Sequence, residues 1–466
     1  MNYKNVEALI RAAIKENGER GITGDGLQNV LLTMLDYTTS LYIEEDVMYG
    51  VEWDVTVADT AMTRIGNMAL HRQLPIHNRM KGCLLDDNGK VVEYLPPTSW
   101  LGATRDGSRG QVMVEVPYHY RKFETDGNIR RVKLSEYPLP GYHFVPKMYV
   151  SAYEATVQRS TGMLCSVVNS DPDYRGGNNN ADWDGTYRTL LGRPASSINR
   201  RTFRNNARNR NGNATSEWNC LDYNAYKTVF WLYYIEYANR NCQLAFNAEK
   251  DANGFAQGGL GAGVTNLVQA ELNSYNSRFP FVPCGHTDSL GNGSGEVPYE
   301  LLQGDGTVLA TTYANRYRGI EQPFGHLWKN VDGVIIGISP TEANGGDNTT
   351  RMYVSDEPSN YNDSDYDSYS MRGALSRKEG YVKELVFGEF GDIAPSETGG
   401  GSSSNFSDYH FTSSSGSEEV KCIFTIGGHA THGSVAGFAC SESDYTTGSM
   451  GSYIGTRLCF IPQNNK

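Results

Sequence analysis

The chain has 466 residues, 39% hydrophobic and 11% aromatic, and a net charge of -12. That length holds roughly two or three domains with buried cores. The acidic balance disfavours nucleic-acid and anionic-membrane partners, and no run of ~18 apolar residues offers a membrane span.

Thirty tyrosines against sixteen phenylalanines favour aromatics with a polar handle, which are common at interfaces. Eight cysteines, at 83, 165, 220, 242, 284, 422, 440 and 459, form no C-x-x-C pair. They read as free, mostly buried thiols made in a reducing compartment. The first twenty residues carry no apolar signal core.

In chain order, Val6, Leu9, Ile10, Ala13 and Ile14 recur at helical spacing, and Asn17-Gly18 and Gly21 break the pattern. Asp25 and Gln28 can form a capping box before a second stripe of Leu27, Val30, Leu31, Met34, Leu35, Leu41 and Tyr42. Residues 1–45 are therefore expected to form a helical segment. Such short stripes gain stability by packing on copies of the chain or on its body.

From 46 the pattern turns to strand. Lys81–Leu85 and Val91–Tyr94 flank an Asn88-Gly89 turn, and Pro96-Pro97 opens a linker, so 46–105 reads as a small β connector. Val112, Val114 and Val116 alternate, Tyr118–Phe123 and Ile129–Leu134 flank a second turn, and Tyr149–Thr156 reads as another strand. Trp218–Asn247 has the clearest helical spacing, with its tyrosines read as core. Gly259, Gly261 and Gly263 follow no apolar strand and read as loop.

The segment Tyr317–Gly333 contains glycines 319 and 325 for turns and Trp328 for a core. Its Glu321 and Asp332 are placed to pair with Arg316 or Arg318. Val334–Ile338 reads as a buried strand, and 341–372 and 396–418 as exposed loops. Asp363, Asp365 and Asp367 alternate but lack the bidentate Glu of a calcium loop, so they read as solvated. Strands are expected at 381–388, 421–426 and 454–461.

Lys421 to Phe460 carries two layers. Ile423, Phe424, Ile426, Gly427, Gly428, Ile454, Gly455, Arg457, Leu458 and Phe460 form a strand-and-turn framework. Between them lie His, Thr, Ser, Phe, Cys, Asp and Tyr with neither a strand nor a helix period. Such a mixture suits a recognition surface. Asn is abundant elsewhere, yet none occurs from Phe406 to Gln463.

This framework resembles the C-terminal variable region of C-type-lectin-fold proteins diversified by retroelements in phages and bacteria. In that family, mutation at template adenines converts Asn codons into Tyr, Ser, Thr, His, Asp, Phe, Cys or Gly. Residues 317–333 resemble the R-G-x-E-x-x-x-G-x-x-W-x-x-x-D-G signature of the same formylglycine-generating-enzyme-like superfamily. Tyr149–Thr156, with Glu154 and Thr156, resembles its opening strand. Residues 1–45 are similar to the N-termini of tail-fibre proteins from phages of gut Bacteroidetes. The resemblance covers roughly 110–460, and the long insertions at 341–420 depart from it.

The resemblance implies an α+β fold: a helical trimerisation or attachment segment over 1–45, the β connector over 46–105, and a C-type-lectin-like receptor-binding domain with mixed and antiparallel sheets over 106–466. It implies a phage tail-fibre adhesin, and no enzyme is expected, for Cys422, Cys440 and Cys459 do not match a paired reactive site. The alternatives are a formylglycine-generating-type oxidase and a structural virion decoration. The expected ligand face comprises His429, Thr431, His432, Ser434, Phe438, Cys440, Ser441, Asp444, Tyr445, Thr446, Ser449 and Tyr453, exposed on a rigid base. His429 and His432 form an H-x-x-H pair, too few ligands for a metal site, so neither metal nor cofactor is expected. Implied partners are a host-cell receptor (protein or glycan), further copies in a homotrimer and other virion tail proteins, without nucleic acid or membrane insertion. The implied location is the virion tail, assembled in the bacterial cytoplasm and extracellular on release.

Overall fold

Three large sheets wrap one buried helix in a computed structural model that describes residues 30–34, 43–277, 280–413 and 416–463. The fold is α+β and dominated by strands. Most of the helical segment expected over 1–45 lies outside the described residues. Within it, 30–34 is helical and Glu44–Val47 forms one further turn.

The hairpins follow the sequence pattern. Lys81–Leu85 pairs with Val91–Tyr94, and the Asp86 side chain accepts from the backbone N–H groups of Asn88 and Lys90 at 3.0 and 2.9 Å. Gly89 completes that turn at φ 74°. His119–Asp126 pairs with Ile129–Ser135.

Strands within residues 46–105 pair with strands beyond residue 106. Met48–Asp54 pairs along its length with Ile129–Ser135, and Lys81–Leu85 pairs with Gln111–Val116. Tyr49, Val51, Cys83 and Leu85 are fully buried there, so these apolar strands find their partners beyond residue 106.

The core helix is Tyr223–Tyr237, shorter than the expected 218–247. Asp222 stops it on one side, accepting from Ala225 N at 3.0 Å, and Trp218–Cys220 before it is a strand. Ala238 ends it in the left-handed region at φ 50°. Of its fifteen residues all but Asn224 are buried, and its tyrosines are core, as their spacing predicts. Around it, Trp231 stacks on Trp53 and donates from Nε1 to Gly391 O at 2.8 Å.

The site rests on a nine-stranded sheet whose central strand is Trp328–Ile338. Thr350–Val354 and Ser370–Leu375 extend it on one side, so the polar stretch 341–372 contains strands as well as loops. Asp363 is buried against Arg200 and Arg204 at 2.7 and 2.9 Å rather than solvated. The expected pairings near the glycine–tryptophan segment are also replaced. Asp332 binds Arg204 through two hydrogen bonds of 2.6 and 2.7 Å, Arg318 takes Glu236, and Arg316 takes Asp288. Glu321 instead accepts from the Thr287 N–H and hydroxyl at 2.6 and 2.7 Å. The partners come from distant elements, which spacing along the chain does not reveal.

The strand expected at 454–461 divides. Ile454–Gly455 pairs with the central strand, whereas Leu458–Phe460 enters a different sheet between Trp218–Cys220 and Met148–Ser151. Arg457 makes the crossing, donating to Ser151 O at 3.1 Å and to the carbonyls of Glu321 and Gln322.

Candidate functional site: the loop between the last strands

Val420–Ile426 pairs with the central strand and delivers the chain to Gly427 and Gly428, at φ 91° and 72°. Side chains rarely adopt that backbone region, which is why paired glycines stand where the strand breaks. The chain returns as Ser441–Glu442, pairing with Thr425 and Ile426, and closes at Ile454–Gly455 beside Trp328. Residues 427–453 are thus held between framework strands at both ends.

The structure divides the twelve expected face residues by burial. Phe438, Cys440, Ser441 and His429 are buried, which corrects the expectation of exposure for these four. Phe438 enters the core, its ring stacked on Tyr233, while Tyr226 Oη donates to its carbonyl at 2.6 Å. Cys440 packs with Trp328 and Ile454. The Ser441 hydroxyl lies 2.9 Å from Nδ1 of the buried His410. Asp408, itself buried, accepts from Ala439 N at 2.8 Å. These contacts fasten the middle of the loop to the protein body, and lack of periodicity gave no hint of them.

Thr431, His432, Asp444, Tyr445, Ser449 and Tyr453 are half-buried, and Ser434 and Thr446 are exposed. Several meet in one cluster of rings. His429 and His432 lie 3.8 Å apart between centroids, His432 stacks on Phe411 at 5.0 Å, and Trp328 meets His432 edge-on at 5.1 Å. Tyr453 lies 5.1 Å from His429, and its hydroxyl accepts from Tyr445 Oη at 3.3 Å. Beside them Thr431 Oγ1 is 3.3 Å from His429 Nδ1, and the hydroxyls of Thr446 and Ser449 are 3.2 Å apart. The patch offers flat rings, imidazoles and hydroxyls on a firm base, a composition suited to binding by contact area and adaptable hydrogen bonds.

Phe411, Trp328 and Glu442 belong to this neighbourhood and were not among the expected face. Phe411 lies in a serine-rich stretch that reads as loop. Trp328 was expected as core, and at 1% exposed it forms the floor.

No family model matches this chain, and no curated protein matches it.

The electrostatics of the loop are set by burial. Burial, reinforced by neighbouring Asp444, pushes the Glu442 carboxyl up to about 9, so it is protonated at neutral pH. Burial pulls His432 down to about 4, leaving a neutral imidazole. All eight cysteines are free and buried, and burial pushes the Cys83 and Cys422 thiols up to about 12. That is the opposite of the depressed values that activate a nucleophilic thiolate. Among the described residues no group of three His, Cys, Asp or Glu side chains converges as metal ligands.

Proposed function

We propose that this chain is a tail-fibre-type receptor-binding protein whose C-terminal loop meets a host-cell receptor, protein or glycan. The observation that carries this reading is the division of residues 427–453 into buried anchors and a rim of half-buried Thr431, His432, Tyr445 and Tyr453 with exposed Ser434 and Thr446. A recognition loop needs both: fixed attachment lowers the entropic cost of binding, and varied side chains at the rim supply contacts. In the same reading the domain is C-type-lectin-like, and the rim positions are those diversified by a retroelement. The chain assembles as a homotrimer, where multivalency strengthens weak single-site contacts, and is carried on the virion tail with other tail proteins.

The reading is one of binding rather than catalysis, because the thiols that an oxidase of this superfamily would need are buried and held protonated. Adsorption competition tests it. Purified chain should block phage attachment to susceptible cells, and Tyr453→Ala and Thr446→Arg should abolish the block while keeping the thermal midpoint. Undiminished competition by both variants would remove the loop from the binding face.

A further inference from the structure

Away from the C-terminal loop, a cavity of ≈ 380 Å³ opens beside the start of the core helix. Its wall includes Phe123, Val145, Met148, Phe390 and Ile461, and Arg121, Lys227 and Thr228 also line it. That volume and largely apolar lining with a few polar groups match sites for small ligands.

Of the two buried cations of this cavity, only one meets a carboxylate. Arg121 and Lys227 are 9% and 3% exposed. The nearest buried carboxylate, Asp392, accepts from Lys227 Nζ at 3.2 Å and from Tyr223 Oη at 3.0 Å. Arg121 is left with a hydrogen bond of 3.3 Å to Thr228 Oγ1 and the face of Phe123, its guanidinium carbon 4.9 Å from the ring centroid. Among the described residues no carboxylate lies within ion-pair distance of it. Lys227 therefore has an ion-pair partner, and Arg121 has none among the described residues.

The acids that line the cavity itself, Asp222, Asp356 and Glu389, are engaged elsewhere or exposed. Asp222 caps the core helix and accepts from the Tyr361 hydroxyl, Asp356 pairs with Arg372, and Glu389 is exposed. A buried guanidinium with spare donors is costly unless an anion meets it, and its planar fork matches a carboxylate.

We propose that this cavity binds a small carboxylate with an apolar body, the carboxylate on Arg121 and the body against Phe123, Val145, Met148 and Ile461. This site is independent of the receptor-binding reading.

The test is isothermal titration calorimetry of the full chain with octanoate and 3-phenylpropionate, against 1-octanol and octylamine as neutral and cationic controls. Saturable one-site binding of a carboxylate is expected, with the alcohol and amine weaker by about tenfold or more. Arg121→Gln should cost the carboxylate about tenfold while leaving 1-octanol unchanged. Met148→Trp, which fills the cavity and keeps the arginine, should abolish binding of all four. Because an unmatched buried charge is removed, Arg121→Met should also raise the thermal midpoint without ligand. Absent carboxylate binding, equal affinity for octanoate and 1-octanol, or full affinity in Arg121→Gln would each overturn the proposal.

Discussion

The rings of Phe438 and Tyr233 stack with centroids 4.8 Å apart and planes 29° apart. One ring belongs to the C-terminal loop and the other to the core helix, and Phe324 adds a third side to the contact at 5.6 Å. The loop therefore shares the protein's main core at its midpoint.

Phe438→Ala should destabilise the protein by about 3–5 kcal/mol, the range for emptying a buried aromatic site. Ser434→Ala and Thr446→Ala, at exposed positions, should stay within about 0.5 kcal/mol. Denaturant unfolding checks both. A small cost for Phe438→Ala would place the midpoint of the loop outside the core.

Glu442 links the loop to pH. Burial, and then Asp444, pushes its folded carboxyl up to about 9, well above the value of an unfolded glutamate. The folded state holds this proton longer than the unfolded one, so its contribution is complete at low pH and is lost as pH rises towards 9. Glu442→Gln keeps the shape and removes the titration. It should stabilise the protein by at least ~1 kcal/mol near pH 8 relative to pH 5, the equivalent of one pKa unit. Identical pH–stability curves for the two proteins would contradict the assignment.

The acid limb should have a different origin. Burial alone would raise Glu154, but Lys329 and His326, at 3.0 and 2.6 Å, outweigh it and hold the carboxyl at about 2. Burial likewise opposes Asp332, and Arg204 overrides it to hold that carboxyl far below the usual range. Groups with depressed folded values stabilise above their unfolded pKa, and that contribution is lost as pH falls towards the folded one. Stability should therefore fall below about pH 4. Asp332→Ala should cost about 3–5 kcal/mol at neutral pH by stranding Arg204. Its acid limb, followed by circular dichroism, should be shallower than that of the parent chain.

Two hydroxyls in the core helix offer a test in the stabilising direction. Those of Tyr233 and Tyr234 are buried and find no hydrogen-bond partner among the described residues. Tyr234→Phe removes a stranded polar group and should raise stability by up to about 1 kcal/mol. A loss of more than that in thermal unfolding would show that the hydroxyl is satisfied.

Local patterns were legible in the sequence where both partners lie close in the chain. The Lys81–Tyr94 and His119–Ser135 hairpins followed from alternation and turn residues, and the tyrosine-rich helix from its spacing. Long-range choices were not legible. Nothing near Asp332 announces Arg204, and nothing near Met48–Asp54 announces its partner strand Ile129–Ser135. For the loop, side-chain chemistry marked the region but could not separate its floor from its rim. Phe438 and Tyr453 are both aromatic residues in an aperiodic stretch, and only their neighbours in space decide that one is core and the other half-exposed.

The placement of Leu458–Phe460 between two other strands has a consequence for how the molecule is made. A ribosome must pass Phe460 before that sheet can close, because the strand fills a gap between Trp218–Cys220 and Met148–Ser151. A premature stop or frameshift anywhere in the loop leaves those two edges unpaired and the product open to proteolysis. Only a chain read in frame as far as Phe460 therefore completes that sheet.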